Sequence, residues 1–273
     1  MADHVLPRSR WHPSPLLRAS AALHLAALAG AAAVPAAWPW ALGVVAGNHA
    51  LLGAAGLWPR STLLGPNLRR LPERNARLGQ VGLCFDDGPD PEVTPAVLEM
   101  LARAGATASF FCIAERAERH PDLIGAITRC GHTVENHSWH HSHRFAAMGA
   151  GSIRREVGTA QHILTGLAGR PPRFFKAPAG LRNPLLDPVL SGFGLRLASW
   201  TRRGFDAVRR NPVEVERRLV RALAAGDILM LHDGSAARSP HGQPVVLQVL
   251  PRLLDRLADQ GLAAVSLEVV ADD

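Results

Sequence analysis

The sequence predicts an α/β fold, a β/α barrel preceded by an apolar helical segment. From residue 81 onward, seven short apolar runs alternate with helical patterns, which is typical of parallel strands covered by helices. Residues 19–58, by contrast, contain no acidic residue, whereas the remainder resembles a soluble enzyme in composition. Seven strands in a segment of this length favour a small or incomplete barrel over an open, doubly wound sheet.

The N-terminal region predicts a membrane segment over residues 1–58. It is rich in alanine, leucine, glycine and valine, and a cluster of prolines and tryptophans at 35–40 interrupts it near the middle. We expect two helices, roughly 16–34 and 38–58, joined by a tight turn with tryptophans at the membrane interface. Asn48 and His49 are expected to bond to the neighbouring helix, since polar groups inside a membrane need partners.

Basic residues flank this segment on both sides. They are Arg8, Arg10 and Arg18 before it, and Arg60, Arg69, Arg70, Arg74 and Arg77 after it. By the positive-inside rule, a hairpin places the domain that follows on the cytoplasmic side of a bacterial inner membrane, with membrane lipid as a partner. A cleaved signal peptide and a single uncleaved anchor remain alternatives, and a single crossing would put the domain outside.

The rest of the chain divides into an arginine-rich linker at 59–80 and one domain at 81–273. The predicted strands are 81–86, 107–113, 132–136, 173–177, 195–200, 227–232 and 263–268. The predicted helices between them are 93–104, 120–130, 151–168, 184–192, 212–225 and 243–260. In a β/α barrel the chemistry lies at the carboxyl ends of the strands.

Charge and composition argue against nucleic acid as a partner. The net charge of +7 comes mostly from arginine and is compatible with attraction to anionic lipid or a phosphorylated substrate. The chain has no tyrosine and only 5% aromatic residues, so a base-stacking surface is not expected.

Two strand ends carry carboxylates and imidazoles. The first strand ends in FDDGPDP, and the adjacent Asp86 and Asp87 point in different directions, so one suits a metal and the other a proton. The third ends in ENHSWHHSH, where His137 and His141 have the i, i+4 spacing of two ligands to one metal. His137 with His140 is also geometrically possible. With Asp87, such a pair makes a site of two histidines and one carboxylate.

Two further strand ends complete the candidate site. Lys176 precedes the turn Pro178-Ala179-Gly180, whose backbone amides suit a reacting carbonyl. His232 follows an apolar run, where it is placed either to donate a proton or to serve as a structural histidine.

In this order, the motifs FDDGPDP, HSWHH, KAPAG and LMLHDG closely resemble those of the polysaccharide deacetylase family, also known as the NodB-homology domain or carbohydrate esterase family four. The resemblance covers residues 80–270 and implies a distorted seven-stranded β/α barrel. It also implies a divalent metal, usually zinc, as the cofactor.

The resemblance implies a role for each matching residue. Asp86 matches the catalytic base, His232 the general acid, Ala179 the oxyanion amide, Leu231 the acetyl pocket, Trp200 the aromatic of the fourth motif, and Asp87, His137 and His141 the metal ligands. A metal-bound water would then attack the amide carbonyl and pass its proton to Asp86, while His232 protonates the leaving amine.

The chain departs from the family pattern at two motifs. Lys176 stands where the family has an arginine that orients the base, and lysine lacks the planar two-pronged donor of arginine. Arg182 is nearby in sequence, with no indication of whether it reaches the site. The aspartate that usually positions the acid histidine is absent after Trp200, and Asp206 is a candidate substitute.

We therefore expect a metal-dependent hydrolase that removes an N-acetyl or other N-acyl group from an amino sugar of a membrane-associated or lipid-linked glycan. Two alternatives remain open: a non-catalytic carbohydrate-binding protein and an amidase for a non-sugar substrate.

Overall fold

The structure of this protein is a computed structural model that describes residues 11–270. Its framework is a curled sheet in which every pair of neighbouring strands runs parallel. The strands are β1 (Gln80–Asp86), β2 (Ser109–Cys112), β3 (Thr133–Asn136), β4 (Phe174–Phe175), β5 (Arg196–Leu197), β6 (Arg202–Arg203), β7 (Ile228–His232) and β8 (Ala263–Val265). Their order is β5-β4-β3-β2-β1-β7-β6, and β8 pairs with the start of β1.

Helices cover the outside of this sheet and precede it. They are α1 (Pro15–Ala33), α2 (Trp38–Leu57), α3 (Glu73–Arg77), α4 (Val93–Arg103), α5 (Ala114–Arg119), α6 (Pro121–Arg129), α7 (Ala150–Ala168), α8 (Leu186–Gly192), α9 (Pro212–Val220) and α10 (Val245–Asp259). The parallel α/β architecture predicted from the sequence is thus confirmed. The structure adds the two-residue strand β6 and the short helices α3 and α5 to the expected elements.

Strand alternation sorts the buried side chains into two layers. Phe85 and Leu83 of β1 face outward into the large core under α4, α6, α9 and α10, where Phe85 stacks on Phe110 at 5.1 Å between ring centroids. Cys84 belongs to the separate cluster inside the curl of the sheet. Because alternate residues of a strand point to opposite faces, Asp86 shares the inner face with Cys84. The strand therefore delivers a carboxylate to the inside of the barrel.

Residues 59–80 do more than connect two regions. Strands β5 and β6 are not paired with each other, and the segment 68–71 fills the gap between them. Leu68 bridges to Ala198 just beyond β5, and Arg70 bridges to Asp227 just before β7. The segment was expected to be a linker because it is polar and arginine-rich. Instead, the buried side chain of Leu71 and backbone pairing hold it in the seam of the barrel.

The two N-terminal helices form a hairpin whose length and apolar composition are sufficient to cross a membrane. Most of their surface is exposed, with Leu25, Leu28 and Trp40 each more than two-thirds accessible. Inside the hairpin, the Asn48 amide donates to the Ser20 hydroxyl at 2.7 Å, and His49 meets His24 at 3.3 Å between Nε2 atoms. The expectation that Asn48 and His49 bond to the neighbouring helix is thus confirmed, whereas the flanking Arg8 and Arg10 lie outside the described residues.

The open end of the hairpin is packed against the barrel. The Ser14 hydroxyl donates to the Leu63 carbonyl at 2.7 Å, and the Arg182 amide donates to the Gly56 carbonyl at 3.1 Å. A side chain at position 56 would meet the Arg182 carbonyl at 2.1 Å, so the close approach of the two backbones requires glycine there. The hairpin is therefore attached to the loop that follows the Pro178–Gly180 turn.

Candidate active site

The candidate site is built where β1, β3, β4 and β7 end. The loops after β1 and β7 pack tightly because each contributes a glycine at their contact. A Cβ on Gly88 would lie 2.2 Å from a carboxylate oxygen of Asp233, and a Cβ on Gly234 would lie 2.1 Å from the Asp87 carbonyl. The glycines of the Asp-Asp-Gly and His-Asp-Gly motifs thus let the two loops carry their acidic and imidazole side chains to one place.

Asp87, His137 and His141 come together as a compact donor set. Asp87 Oδ1 lies 3.1 Å from His137 Nε2 and 3.3 Å from His141 Nε2, and one donor atom from each residue lies within 4.8 Å of the others. Ligands about 2 Å from a tetrahedral zinc are separated from one another by roughly 3.3 Å. The spacing and chemistry of these atoms therefore fit a divalent metal.

The backbone prepares these residues for that arrangement. His137 Nδ1 donates to the Lys176 carbonyl at 2.8 Å, because a carbonyl can only accept, and this leaves the Nε2 lone pair directed at the donor set. Asp87 and His141 have φ values of 68° and 53°, in the left-handed region that few non-glycine residues adopt. Such conformations concentrate at functional sites, where the surrounding structure holds them in place.

The charges of the donor set suit a cation. Burial by itself raises the pKa of Asp87, but its contacts with His137 and His141 outweigh burial and hold the pKa below its usual range. Burial lowers the pKa of His141 to about 4. At neutral pH the set therefore presents an ionised carboxylate and a neutral His141 imidazole, the forms that bind metals.

The other histidines of the cluster have different partners. His140 Nδ1 bonds to a Glu156 carboxylate oxygen at 2.8 Å, and His140 is not part of the donor set. His143 packs edge-on against His141, with 6.1 Å between ring centroids. Of the two pairings left open by the sequence, the structure brings together His137 and His141.

Asp86 is held by the chain's only lysine. Lys176 Nζ donates to Asp86 Oδ1 at 2.6 Å, and the side chain of Lys176 is 1% exposed. The ammonium also lies 4.1 Å from the centroid of the Phe111 ring, in cation–π geometry. One donor replaces the two-pronged arginine of the family pattern, so the second carboxylate oxygen of Asp86 is not held by Lys176. All other basic side chains of the Lys/Arg type in this sequence are arginines.

His232 is paired with Asp206, which the sequence offered only as a substitute. Nδ1 of His232 donates to Asp206 Oδ1 at 2.8 Å, and the backbone amide of His232 donates to Oδ2 at 2.7 Å. Burial lowers the pKa of His232, but the buried Asp206 carboxylate overcomes this and raises it to about 8. A protonated imidazole at neutral pH is the form required of a general acid.

Replacing Asp206 with asparagine tests the predicted role of His232 as a general acid. Without the carboxylate, burial dominates, the pKa of His232 falls, and the protonated form is lost at lower pH. We expect the alkaline limb of the kcat/KM profile to move down by about 1 to 3 pH units. The exposed Asp255→Asn variant on α10 is the control. An unmoved alkaline limb in Asp206→Asn would remove His232 as the titrating acid.

The remaining predicted residues occupy different surroundings. Ala179 lies in the Pro178–Gly180 turn with φ of 55°, and Trp200 packs beside that turn, where a Cβ on Gly180 would be 2.6 Å from the indole. Leu231 is fully buried in the outer core, because alternation along β7 turns it to the face opposite His232. The expectation that it lines an acetyl pocket is therefore not met.

Arg182 does not take the place of the missing arginine. Its guanidinium donates to the carbonyls of Ser61 and Gly65, at 2.7 and 3.4 Å, and so ties the loop after Ala179 to the segment that follows the hairpin. This role was not apparent from the sequence, because the partners are backbone atoms more than a hundred residues away.

Comparison with known proteins gives concordant matches. Residues 73–198 match the profile of a family described as polysaccharide deacetylase. A chitooligosaccharide deacetylase of Sinorhizobium fredii is 30% identical over 206 residues, which are 73% of this chain and 95% of the relative. A peptidoglycan-N-acetylglucosamine deacetylase of Bacillus cereus is 29% identical over 194 residues, which are 68% of this chain and 85% of the relative.

A solved structure agrees with these sequence matches. The family 4 carbohydrate esterase from Streptomyces lividans, in complex with acetate, superposes with a TM-score of 0.61 at 29% identity. The match covers 68% of this chain and 91% of that esterase.

Proposed function

Because this chain belongs to the polysaccharide deacetylase family and is thereby a carbohydrate N-deacetylase, we propose that it is a divalent-metal-dependent hydrolase of an N-acylated amino sugar in a membrane-associated glycan. One observation carries the proposal. The donor set of Asp87, His137 and His141, the Asp86–Lys176 pair and the His232–Asp206 pair all converge at the ends of parallel strands.

The donor set is the part of the site that would hold the metal, and its two imidazoles and one carboxylate suit zinc. When bound, such an ion supplies a Lewis acid that acidifies water and polarises a carbonyl. The protein holds the donors in place. The carbonyl of Lys176 orients His137, and the hydroxyl of Ser138 accepts a hydrogen bond from the backbone amide of His141 at 3.0 Å.

Proton transfer is divided between Asp86 and His232. A water molecule adds to the amide carbonyl carbon and gives its proton to Asp86 Oδ2, the oxygen that Lys176 does not hold. The carbon–nitrogen bond then breaks, and Nε2 of His232 supplies the proton that makes the departing amine neutral. The products are acetate, or the corresponding acid, and a free amino sugar.

The backbone and one aromatic side chain support these steps. The amide of Ala179 is placed to donate to the developing oxyanion, because the left-handed conformation of this residue exposes the turn backbone. Trp200, 8% exposed beside Gly180, forms an apolar wall next to the turn.

The membrane part of the proposal is supported by the hairpin. Tryptophans lie at both of its ends, with Trp38 and Trp40 at the tip and Trp58 at the base, as is typical of helices anchored at two interfaces. The base is hydrogen-bonded to the barrel, which favours a retained anchor over a removed signal segment. With basic residues on both flanks, we place the catalytic domain at the cytoplasmic side of a bacterial inner membrane.

Metal-dependent acetate release from N-acetylglucosamine oligomers tests the proposed reaction. We expect a chelator to lower the activity of the full chain in detergent micelles at least about 100-fold, and added zinc to restore it. The reason is that a catalytic metal contributes several kcal/mol to stabilising the transition state. His141→Ala should lose both metal and activity, whereas the exposed His162→Ala on α7 should retain both. Metal binding without acid release from any N-acylated sugar would favour the non-catalytic alternative instead.

A further inference from the structure

A groove of about 520 Å³ lies between the base of the hairpin and the barrel. Its walls include Trp58, Arg60, Arg69, Arg70 and Trp200, and we refer to these residues as the arginine groove. Trp58 follows directly on α2, and Trp200 belongs to the wall beside the Pro178–Gly180 turn. The groove therefore joins the anchor to the neighbourhood of the proposed catalytic site.

Two of its three arginines carry charge that no acid offsets. Arg60 donates to the Thr201 carbonyl at 3.2 Å and Arg69 to the Arg60 carbonyl at 3.3 Å, and within residues 11–270 neither guanidinium is paired with a carboxylate. Arg70, by contrast, is held by the buried Asp227 at 2.5 Å. Arg60 and Arg69 thus keep free donors for an anion.

The chemistry of these donors indicates a phosphate group. Guanidinium groups present several N–H donors in a planar array that matches the oxygens of phosphate. Arg60 stands three residues beyond the end of α2. If the proposed hairpin spans a bilayer, this is the level where the helix leaves the apolar part. Phosphates linked to membrane lipids lie at that level.

The groove also lies beside the Pro178–Gly180 turn. Trp200 lines it, and the same indole is so close to Gly180 that a Cβ there would be 2.6 Å away. A phosphate in the groove would consequently be next to the sugar in the site. The headgroup of a bilayer lipid is not joined to the sugar, so it would not have to lie beside the catalytic site.

We infer that the arginine groove binds the phosphate or diphosphate that joins the amino sugar of the substrate to a membrane lipid. This inference rests on the proposed function and specifies its substrate class. Arg60 and Arg69 bind the phosphate oxygens, the lipid chain follows the hairpin into the bilayer, and the sugar extends past Trp200 to Asp86 and the donor set.

A matched pair of substrates tests the inference with the full chain in nanodiscs of neutral lipid. One substrate is N-acetylglucosamine linked to geranyl diphosphate, and the other is the geranyl glycoside of the same sugar, without phosphate. The test variant is Arg60→Gln/Arg69→Gln. The control is Arg103→Gln/Arg119→Gln, in which two exposed arginines on α4 and α5, each beside a glutamate, are changed.

We expect the test variant to raise KM for the diphosphate substrate about tenfold or more, since charge-assisted hydrogen bonds are lost, while kcat stays within about twofold. The KM for the neutral glycoside should not change, which also shows that the variant is folded. The control should match the wild-type chain with both substrates. Equal effects on both substrates, no effect on either, or an effect seen only in nanodiscs of anionic lipid would overturn the inference.

A binding measurement separates this inference from the proposed reaction. Calorimetric titration of the diphosphate substrate into Asp86→Asn should show weaker binding, again about tenfold or more, when Arg60 and Arg69 are also replaced. If the wild-type chain hydrolyses neither substrate, the proposed function fails, and this titration alone decides the inference: weakened binding supports it and unchanged binding overturns it.

Discussion

Asp86→Asn is expected to lower kcat/KM for an N-acetylated sugar by about 10² to 10⁴-fold, the usual contribution of a general base. Asparagine has nearly the same shape as aspartate, but its amide does not accept the proton of the attacking water. The exchange also leaves the ammonium of Lys176, 2.6 Å away, without its carboxylate. Acetate release by the full chain in detergent micelles, reloaded with zinc, measures the effect.

Metal content distinguishes this variant from a loss of the donor set. Asp86 is not one of the three donors, so Asp86→Asn should retain its zinc, whereas Asp87→Asn should lose both zinc and activity. Asp255→Asn, on the exposed side of α10, is again the control for charge removal. Retention of more than about a tenth of wild-type activity in Asp86→Asn would assign the base to another group.

Lys176→Met should destabilise the protein as well as inactivate it. Methionine has a similar length but no charge, so the Asp86 carboxylate, 4% exposed, is left buried without its cation. Breaking a buried pair from one side costs about 3–5 kcal/mol. We expect a lower midpoint of thermal unfolding and nearly complete loss of acetate release, whereas Lys176→Arg should retain activity because arginine can still donate to Asp86.

The double variant Lys176→Met/Asp86→Asn provides the decisive comparison. Replacing Asp86 with asparagine removes the unpaired buried charge. The midpoint of thermal unfolding of the double variant should therefore recover most of the decrease seen in Lys176→Met, while activity stays absent. If the double variant is as unstable as Lys176→Met alone, packing of the methionine rather than the unpaired charge is the cause. Because Lys176 is the only lysine, amine-reactive labelling of the unfolded chain reports on this residue and the N-terminal amine.

The sequence was sufficient for most of the sheet. Apolar runs such as 81–86 and 227–232 are long enough to predict buried strands, and the structure has strands at both. The strand Arg202–Arg203 has two charged residues and no apolar run, so hydrophobic patterning does not reveal it. The position of segment 68–71 could not be predicted either, because it depends on pairing with distant residues rather than on the composition of the segment.

Spacing in the sequence predicted the candidate site residues, but not the direction in which every side chain points. His137 and His141 meet Asp87, but they do so in a loop with positive φ at Ser138 and His141, not on the helical turn that the i, i+4 spacing suggested. The exclusion of His140 depends on Glu156, sixteen residues further along. Leu231 illustrates the opposite case. The two-residue period of a strand, applied from His232, would have placed Leu231 on the outer face without a structure.

The seam of the barrel constrains the order in which the chain can fold. Residues 68–71 precede the first strand, yet Leu68 pairs with Ala198 and Arg70 with Asp227, so neither contact exists until most of the polypeptide has been synthesised. Contacts between such distant residues carry a large loop-closure entropy and form late. On the ribosome, the early βα units can assemble first while the arginine-rich segment remains unpaired. Closure of the seam is then the step that brings the docked hairpin and the arginine groove into their final positions.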